Sequence, residues 1–376
     1  MPSVLVAMSG GVDSSVAACV LKEQGYDVVG SHMSLVHLEG VEHGCCGPAA
    51  RADAAAVAAI AGIPFEICDL TLDFDEAVIE DFVAEQAAGR TPNPCARCNG
   101  EIKFGAFVRR ADELGIDLVA TGHYVRTSHD DDGDWHLLRG ADAGKDQSYM
   151  LHMLGQAQLA RSVFPVGGLP KARTRALAER FGLPVAAKPD SQELCFAPSG
   201  DAGAFVRSQA PELVHAGGEV VDDTGRVLGE HDGTFAFTVG QRRGLGIATG
   251  APVYVLDVDA PTNRIVVGPG ELLARSGLVA DRASWVAGGP PVDAPFEAQV
   301  RVRYRGDDVD AVITPSGGGF EVAFVQPQRA IAPGQSAVVS RGQEVLGGGR
   351  IVSARRSPPL PGGSPTASAD PATMRA

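Results

Sequence analysis

The stretch Ser9-Gly10-Gly11-Val12-Asp13-Ser14-Ser15 constrains what this chain can fold into more than any other. It follows a short apolar run, Val4 to Met8, and precedes a segment in which Val16, Ala17, Val20 and Leu21 recur at helical spacing. Strand, glycine turn and helix in that order bring two glycines, several hydroxyls and the positive end of a helix to one point, which suits a phosphate. The loop has no lysine of the usual triphosphate loop. It offers instead Asp13, which can hold a Mg2+ bridging phosphates, and the hydroxyls of Ser9, Ser14 and Ser15.

The same alternation continues. Tyr26 to Met33 reads as a buried strand, Ala49 to Ala61 as a helix, Phe65 to Leu70 as a strand and Phe74 to Ala88 as a helix. A further helix is expected from about Cys98 to Leu114, and a strand over Asp117 to Thr121. This predicts a parallel sheet wound by helices, with ligands at the carboxyl ends of its strands. After about Ser199 the pattern becomes β-rich: Gly218 to Leu228, Thr234 to Val239, Val253 to Val258 and Arg264 to Val267 are short and separated by turn residues. From Ala298, alternation in Ala-Gln-Val-Arg-Val-Arg-Tyr, then Gly319 to Val325, Ser336 to Ser340 and Gly349 to Ser353, predicts a small closed barrel. At roughly 150 residues per domain, 376 residues accommodate this division. The expected boundaries are a nucleotide-binding α/β domain at 1–205, a small central domain at 206–278, a β-barrel at 279–355 and a disordered tail at 356–376.

With 46 acidic against 32 basic residues the net charge is −14, so a nucleic-acid partner must be held by a local basic surface. Arg301, Arg303 and Arg305 alternate on an expected strand, and Lys171, Arg173, Arg175 and Arg180 cluster on an expected helix; together they offer a phosphate track. No run approaches the ~18 apolar residues of a membrane span, and no leader pattern opens the chain, so a cytoplasmic protein without a membrane partner is expected. The segment Phe237 to Ile247, with Gln-Arg-Arg-Gly-Leu-Gly, is expected to be mobile until RNA orders it.

Seven cysteines, an odd number without a leader, argue against a disulfide scaffold. Cys19 and Cys68 sit among apolar residues and are expected in the core, while Cys45 and Cys46 lie in a Gly-flanked loop. Cys95 and Cys98 occupy a Pro-rich turn, Pro92-Asn93-Pro94-Cys95-Ala96-Arg97-Cys98-Asn99, that leads into a helix, where a thiol beside Arg97 would have a lowered pKa. Cys195 falls in Asp190-Ser191-Gln192-Glu193-Leu194-Cys195-Phe196. Two chemistries fit. In one, Cys195 carries a persulfide and Cys98 attacks it or the activated substrate, closing a transient disulfide. In the other, Cys95, Cys98 and Cys195 ligate a 4Fe-4S cluster with one iron open.

The loop resembles the pyrophosphatase loop of adenine-nucleotide alpha-hydrolase-like enzymes, which cleave ATP between the α and β phosphates. Over nearly the whole chain the sequence also resembles bacterial tRNA-specific 2-thiouridylases (tRNA-uridine 2-sulfurtransferases). The resemblance is carried by SGGVDSSVAA at Ser9 to Ala18, GRTPNPCARCNGEIKFG at Gly89 to Gly105, TGHY at Thr121 to Tyr124 and KDQSYML at Lys145 to Leu151. It continues in FPVG at Phe164 to Gly167, DSQELCF at Asp190 to Phe196, FTVGQRRGLGI at Phe237 to Ile247, RVRYR at Arg301 to Arg305 and PGQ at Pro333 to Gln335.

That resemblance implies ATP-dependent replacement of the C2 oxygen by sulfur at the wobble uridine, position 34, of tRNAs for Lys, Glu and Gln, with a cysteine desulfurase or other sulfur donor protein as partner. It implies ATP contacts at Ala7, Met8, Ser9, Gly10, Gly11, Val12, Asp13, Ser14, Met33 and Gly122, Cys98 as nucleophile and Cys195 as persulfide carrier. It places the target base at Asn93, Pro94 and Cys95, and other tRNA contacts at His123, Lys145, Asp146, Gln147, Arg303, Tyr304 and Gln335. Some members have Asp where this chain has Cys95, so a general-base role there does not carry over. Two rivals are an amidating enzyme of the same ATP class acting on a small metabolite, which leaves Cys98 and Cys195 idle, and an iron–sulfur RNA-binding protein, which leaves the phosphate loop unexplained.

Overall fold

The computed structural model describes residues 1–36, 47–190, 194–197, 202–211, 217–248 and 250–356. Cys45 and Cys46, Ser191 to Glu193 and the tail from 357 onward lie outside the described residues.

β1 (Ser3–Ala7) enters α1 (Val12–Glu23) through the glycine turn, and β2 (Asp27–Ser34), α2 (Pro48–Ala61) and β3 (Phe65–Asp69) follow. With β4 (Leu118–Ala120) and the short β7 (Ser162–Val163) they form a five-stranded parallel sheet in the order β3-β2-β1-β4-β7. The continuous run Val4-Leu5-Val6 is fully buried, as a central parallel strand covered on both faces must be. Strand order reverses between β1 and β4, so the crevice above their carboxyl ends is the switch point where such sheets bind ligands. Both longer helices expected from the sequence are interrupted: Asp75–Ile79 and Asn99–Ala106 take the wider π-helical turn, the second directly after Cys98.

Gly218–Asp222, Val227–His231, Tyr254–Asp259 and Arg264–Gly268 make a separate four-stranded sheet. Thr234 to Val239, expected as strand, is instead a short 3-10 turn at Thr234–Ala236 followed by loop. Its alternating phenylalanines serve two cores: Phe235 packs into that of the parallel-sheet domain and Phe237 into that of the small sheet. Phe237 and Leu245 are buried, and Gly240 N–H and Gln241 C=O bond across to Val255, so the Phe237 to Ile247 segment is anchored at both ends while Arg242 and Arg243 stay exposed.

The barrel runs through Ala274–Trp285, Gly319–Arg329, Val309–Ser316, Phe296–Arg301, Ser336–Arg341 and Glu344–Arg356, and closes where the last strand pairs with the first. A hairpin of the first domain, β5 (Val125–His129) and β6 (Trp135–Arg139), also joins this sheet, through Glu344↔Leu138 and Val345↔Leu137. Arg139 secures the seam by donating to Asp308 and to Ser340 Oγ at 2.8 Å. Among the described residues no helix is long and apolar enough to cross a membrane.

His136 clasps the same seam, with Nδ1 2.7 Å from Glu344 and Nε2 3.1 Å from Asp130. Hydrogen bonding to Glu344, then to Asp130, raises its pKa. A raised folded-state pKa stabilises fully below the unfolded value and the benefit is lost as pH rises through the folded one. The melting temperature of the native protein should therefore exceed that of His136→Ala at about pH 6 and converge with it by about pH 9, a comparison that thermal unfolding across this range makes directly.

Candidate active site

The phosphate loop is braced by its own serines. Ser9 N–H donates to Ser14 Oγ at 3.2 Å, and the hydroxyls of Ser14 and Ser15 donate to Gly11 C=O at 3.2 and 2.8 Å. Ser14 is thus a brace, and no side chain caps α1. Gly10 has φ +68°, and a Cβ there would stand 2.2 Å from the Ala50 carbonyl oxygen, so only glycine fits. Gly122, at the end of β4, lies so close that a Cβ would meet Ser14 N at 2.5 Å. The expected ATP residues Ala7 to Ser14, Met33 and Gly122 therefore share the carboxyl edge of β1, β2 and β4.

Cations that this loop lacks arrive from far along the chain. Lys171 Nζ lies 2.7 Å from both oxygens of Asp13 and 2.8 Å from Asp190, and Lys188 Nζ donates to Gly10 C=O at 3.0 Å and to Asp53 at 2.7 Å. Tyr124 hydroxyl bonds Asp13 at 2.8 Å and Thr174 at 2.9 Å, and burial pushes its pKa well above the usual range. Asp190 also receives Lys145 at 2.8 Å and Arg175 at 3.2 Å; burial alone would raise its carboxyl, but Lys145 and Lys171 hold it below the usual value. A continuous ionic chain, Asp13 to Lys171 to Asp190 to Lys145, so joins the phosphate loop to the segment that carries Cys195 five positions beyond Asp190.

This corrects the phosphate track read from the sequence. Positions i and i+4 of a helix share a face, so Lys171 and Arg175 of helix Lys171–Arg180 turn toward the loop, while Arg173 is exposed and Arg180 pairs with Glu23 at 2.6 Å. Nor do Arg301, Arg303 and Arg305 alternate on one strand: the strand ends at Arg301, which is bound to Asp308 at 2.8 Å and lies 3.6 Å from Asp146. Arg303 and Arg305 follow in a turn and are exposed.

Asn93 caps the Pro94–Cys98 helical turn by accepting from Ala96 N–H at 3.1 Å, with Pro94 at the first helical position, where its missing N–H costs nothing. Cys98 is buried and Cys95 exposed. Arg97, expected to act on the thiols, donates to Ala77 C=O at 2.9 Å and to Glu101 at 3.2 Å. Phe196 packs against Phe82 at 5.1 Å and Phe74 at 6.2 Å, on the stretch that also receives Arg97. Both cysteine segments therefore rest on residues 74–82, and Cys195 packs on the core cluster that contains Cys98, Ala7 and Met33. Burial, with acidic neighbours adding to it, pushes the Cys19 and Cys68 thiols up to about 11.

Among the described residues no three potential ligands converge on a metal position, and Cys95 and Cys98 face different surroundings; these residues do not fit the 4Fe-4S reading. Mg2+, expected at Asp13, would meet a carboxylate already held by Lys171, with Asp190 on the same ammonium.

The remaining expected contacts lie around this centre. Burial, then the nearby Lys103 charge, hold His123 well below its usual pKa, so it is neutral at pH 7 with Nδ1 2.8 Å from Thr121 Oγ1. Asp146 accepts from Gly140 and Ser148 N–H at 3.0 and 3.1 Å, and Gln147 accepts from Tyr124 N–H at 2.9 Å; both shape the loop. Burial, then Asp146, raise the Tyr304 hydroxyl, with Arg305, Lys145 and Cys95 also acting on it, so the barrel's Tyr304 faces the Lys145 and Cys95 loops.

Three family models cover the chain: one described as tRNA methyl transferase HUP domain at residues 2–199, one as tRNA methyl transferase PRC-barrel domain at 205–269, and one as Aminomethyltransferase beta-barrel domain at 275–351. A tRNA-specific 2-thiouridylase MnmA of Geobacter metallireducens is 48% identical over 358 residues, covering 93% of this chain and 96% of that protein. One of Acidothermus cellulolyticus is 47% identical over 363 residues, covering 94% and 98%. The chain belongs to the tRNA-specific 2-thiouridylase family. Membership accounts for the three-part division. Of the supporting cations, Lys188 alone lies outside the motifs and basic clusters legible in the sequence, although Lys188-Pro189-Asp190 stands directly before the Cys195 segment.

Proposed function

We propose that the protein replaces the C2 oxygen of the wobble uridine, position 34, of tRNAs for Lys, Glu and Gln with sulfur at the expense of ATP. The observation that carries this reading, beside family membership, is the ionic chain that ties the phosphate loop to the Cys195 segment, over a core that Cys98 shares. A uridine carbonyl is a poor electrophile. Its O2 attacks the α-phosphorus of ATP, pyrophosphate leaves against the α1 N-terminus and Lys188, and the base carries AMP as a leaving group. Cys195 holds the persulfide. Thiolate attack by Cys98 on its inner sulfur releases the outer one for C2, AMP departs, and a Cys98 to Cys195 disulfide remains for an external thiol to reduce. Cys195 is partly exposed, which suits loading by a sulfur donor protein such as a cysteine desulfurase. The base must leave its stack, which costs least in an anticodon loop.

Incubation with ATP, Mg2+, a cysteine desulfurase system and unmodified tRNA for Glu should yield 2-thiouridine at position 34 by mass spectrometry, with AMP in equal amount; AMP without thiolated base would overturn the substrate assignment. Because Arg242, Arg243, Arg303 and Arg305 are exposed cations on an acidic protein, tRNA affinity should fall by orders of magnitude between about 50 and 200 mM salt, measured by filter binding.

A further inference from the structure

The loop before Cys98 is where all three domains meet. Thr91 N–H donates to Pro333 C=O at 2.7 Å, Gln335 Nε2 donates to Thr91 C=O at 2.8 Å and lies 3.3 Å from Pro92 C=O, and Thr91 Oγ1 bonds Thr238 Oγ1 of the central domain at 3.3 Å. Gly334 approaches so closely that a Cβ would stand 2.8 Å from Thr91 backbone atoms. The Pro333-Gly334-Gln335 turn is itself pinned to the barrel, since Gly334 N–H donates to Ile351 C=O and Ile351 N–H to Gln335 C=O, both at 2.8 Å. On the other side the connection is short and stiff: Pro92 and Pro94 fix their φ, and Asn93 caps the turn that ends in Cys98.

We propose that Gln335 is a positioning residue for Cys98: through Thr91 and Pro92 it sets where the Cys95 to Cys98 turn sits, so the barrel holds the nucleophile in place before any RNA is bound. The family resemblance would make Gln335 a tRNA contact, yet its amide nitrogen already donates to two carbonyls of the catalytic domain. The importance given to Cys98 rests on the proposed function; the placement of the turn does not.

The test is alkylation of the full chain by iodoacetamide without RNA, ATP or sulfur donor. Trypsin cuts after Arg97, so Cys95 and Cys98 are read on separate peptides. Gln335→Glu keeps the size and turns a donor into a repelled acceptor against the two carbonyls. Loosening the turn should raise the Cys98 alkylation rate at least about fivefold, the scale of one lost buried hydrogen bond. Cys19 and Cys68, buried in the same domain, stay unreactive while the fold holds. If they react, Gln335→Met, neutral and of similar length, replaces the first variant. An unchanged or slower Cys98 rate in a folded variant overturns the proposal, and if tRNA binding weakens at the same time, Gln335 is an RNA ligand instead. If the native protein fails to thiolate tRNA while Gln335→Glu still shows the faster alkylation, the function is refuted and the positioning role stands.

Discussion

Cys98→Ser should abolish 2-thiouridine formation, by at least about a thousandfold, while AMP formation on bound tRNA persists. Serine has nearly the shape of cysteine, but its hydroxyl does not ionise near neutral pH and cannot exchange with a persulfide. Cys95, three positions away, is exposed, whereas Cys98 is buried in the core against which the Cys195 segment packs. Burying a hydroxyl costs about 1–3 kcal/mol unless it finds a partner, so the melting temperature has to be measured beside activity to separate chemistry from folding. Cys195→Ser should lose sulfur transfer equally, and the persulfide, detected by mass spectrometry after incubation with the desulfurase, should vanish in Cys195→Ser and persist in Cys98→Ser. Full activity in either variant would sink the persulfide route.

Asp13→Ala should act one step earlier, lowering AMP and pyrophosphate formation by about 10²- to 10³-fold, with thiolation falling in parallel. Asp13 takes both a lysine ammonium and a tyrosine hydroxyl. Without it Lys171, whose side chain is only 12% exposed, keeps Asp190 as its carboxylate and is drawn away from the loop. Asp13→Asn separates two contributions: it keeps an acceptor for Tyr124 but removes the charge that fixes Lys171. If Asn restores adenylation, the hydrogen bond matters; if it behaves like Ala, the charge does. Measuring pyrophosphate release in Asp13→Ala and Cys98→Ser side by side assigns the two halves of the reaction, because the first variant should lose it and the second should not.

The sequence alone determined the features whose geometry is local. Ser9 to Ser15 can be read because strand, glycines and helix start are consecutive, so the backbone itself builds the phosphate cradle. The Pro92 to Asn99 turn was legible for the same reason, with capping residue, proline and cysteines all within one helical turn. Barrel strands could be anticipated from alternation, since period-two burial is a property of each strand separately. Tertiary structure decided what depends on distance in the chain. Lys171 and Lys188 reach the phosphate loop across 158 and 178 positions, and no local pattern separates them from the exposed Arg173. Arg301 looks like a third basic strand residue until Asp308 and Asp146 are found beside it. The seam of β5 and β6 with the barrel, and the hold of Gln335 on Thr91 across 244 positions, rest on hydrogen bonds whose partners only the packing of whole domains brings together. A charge or an amide carries no mark in the sequence of what it will face; that is fixed by where the chain returns.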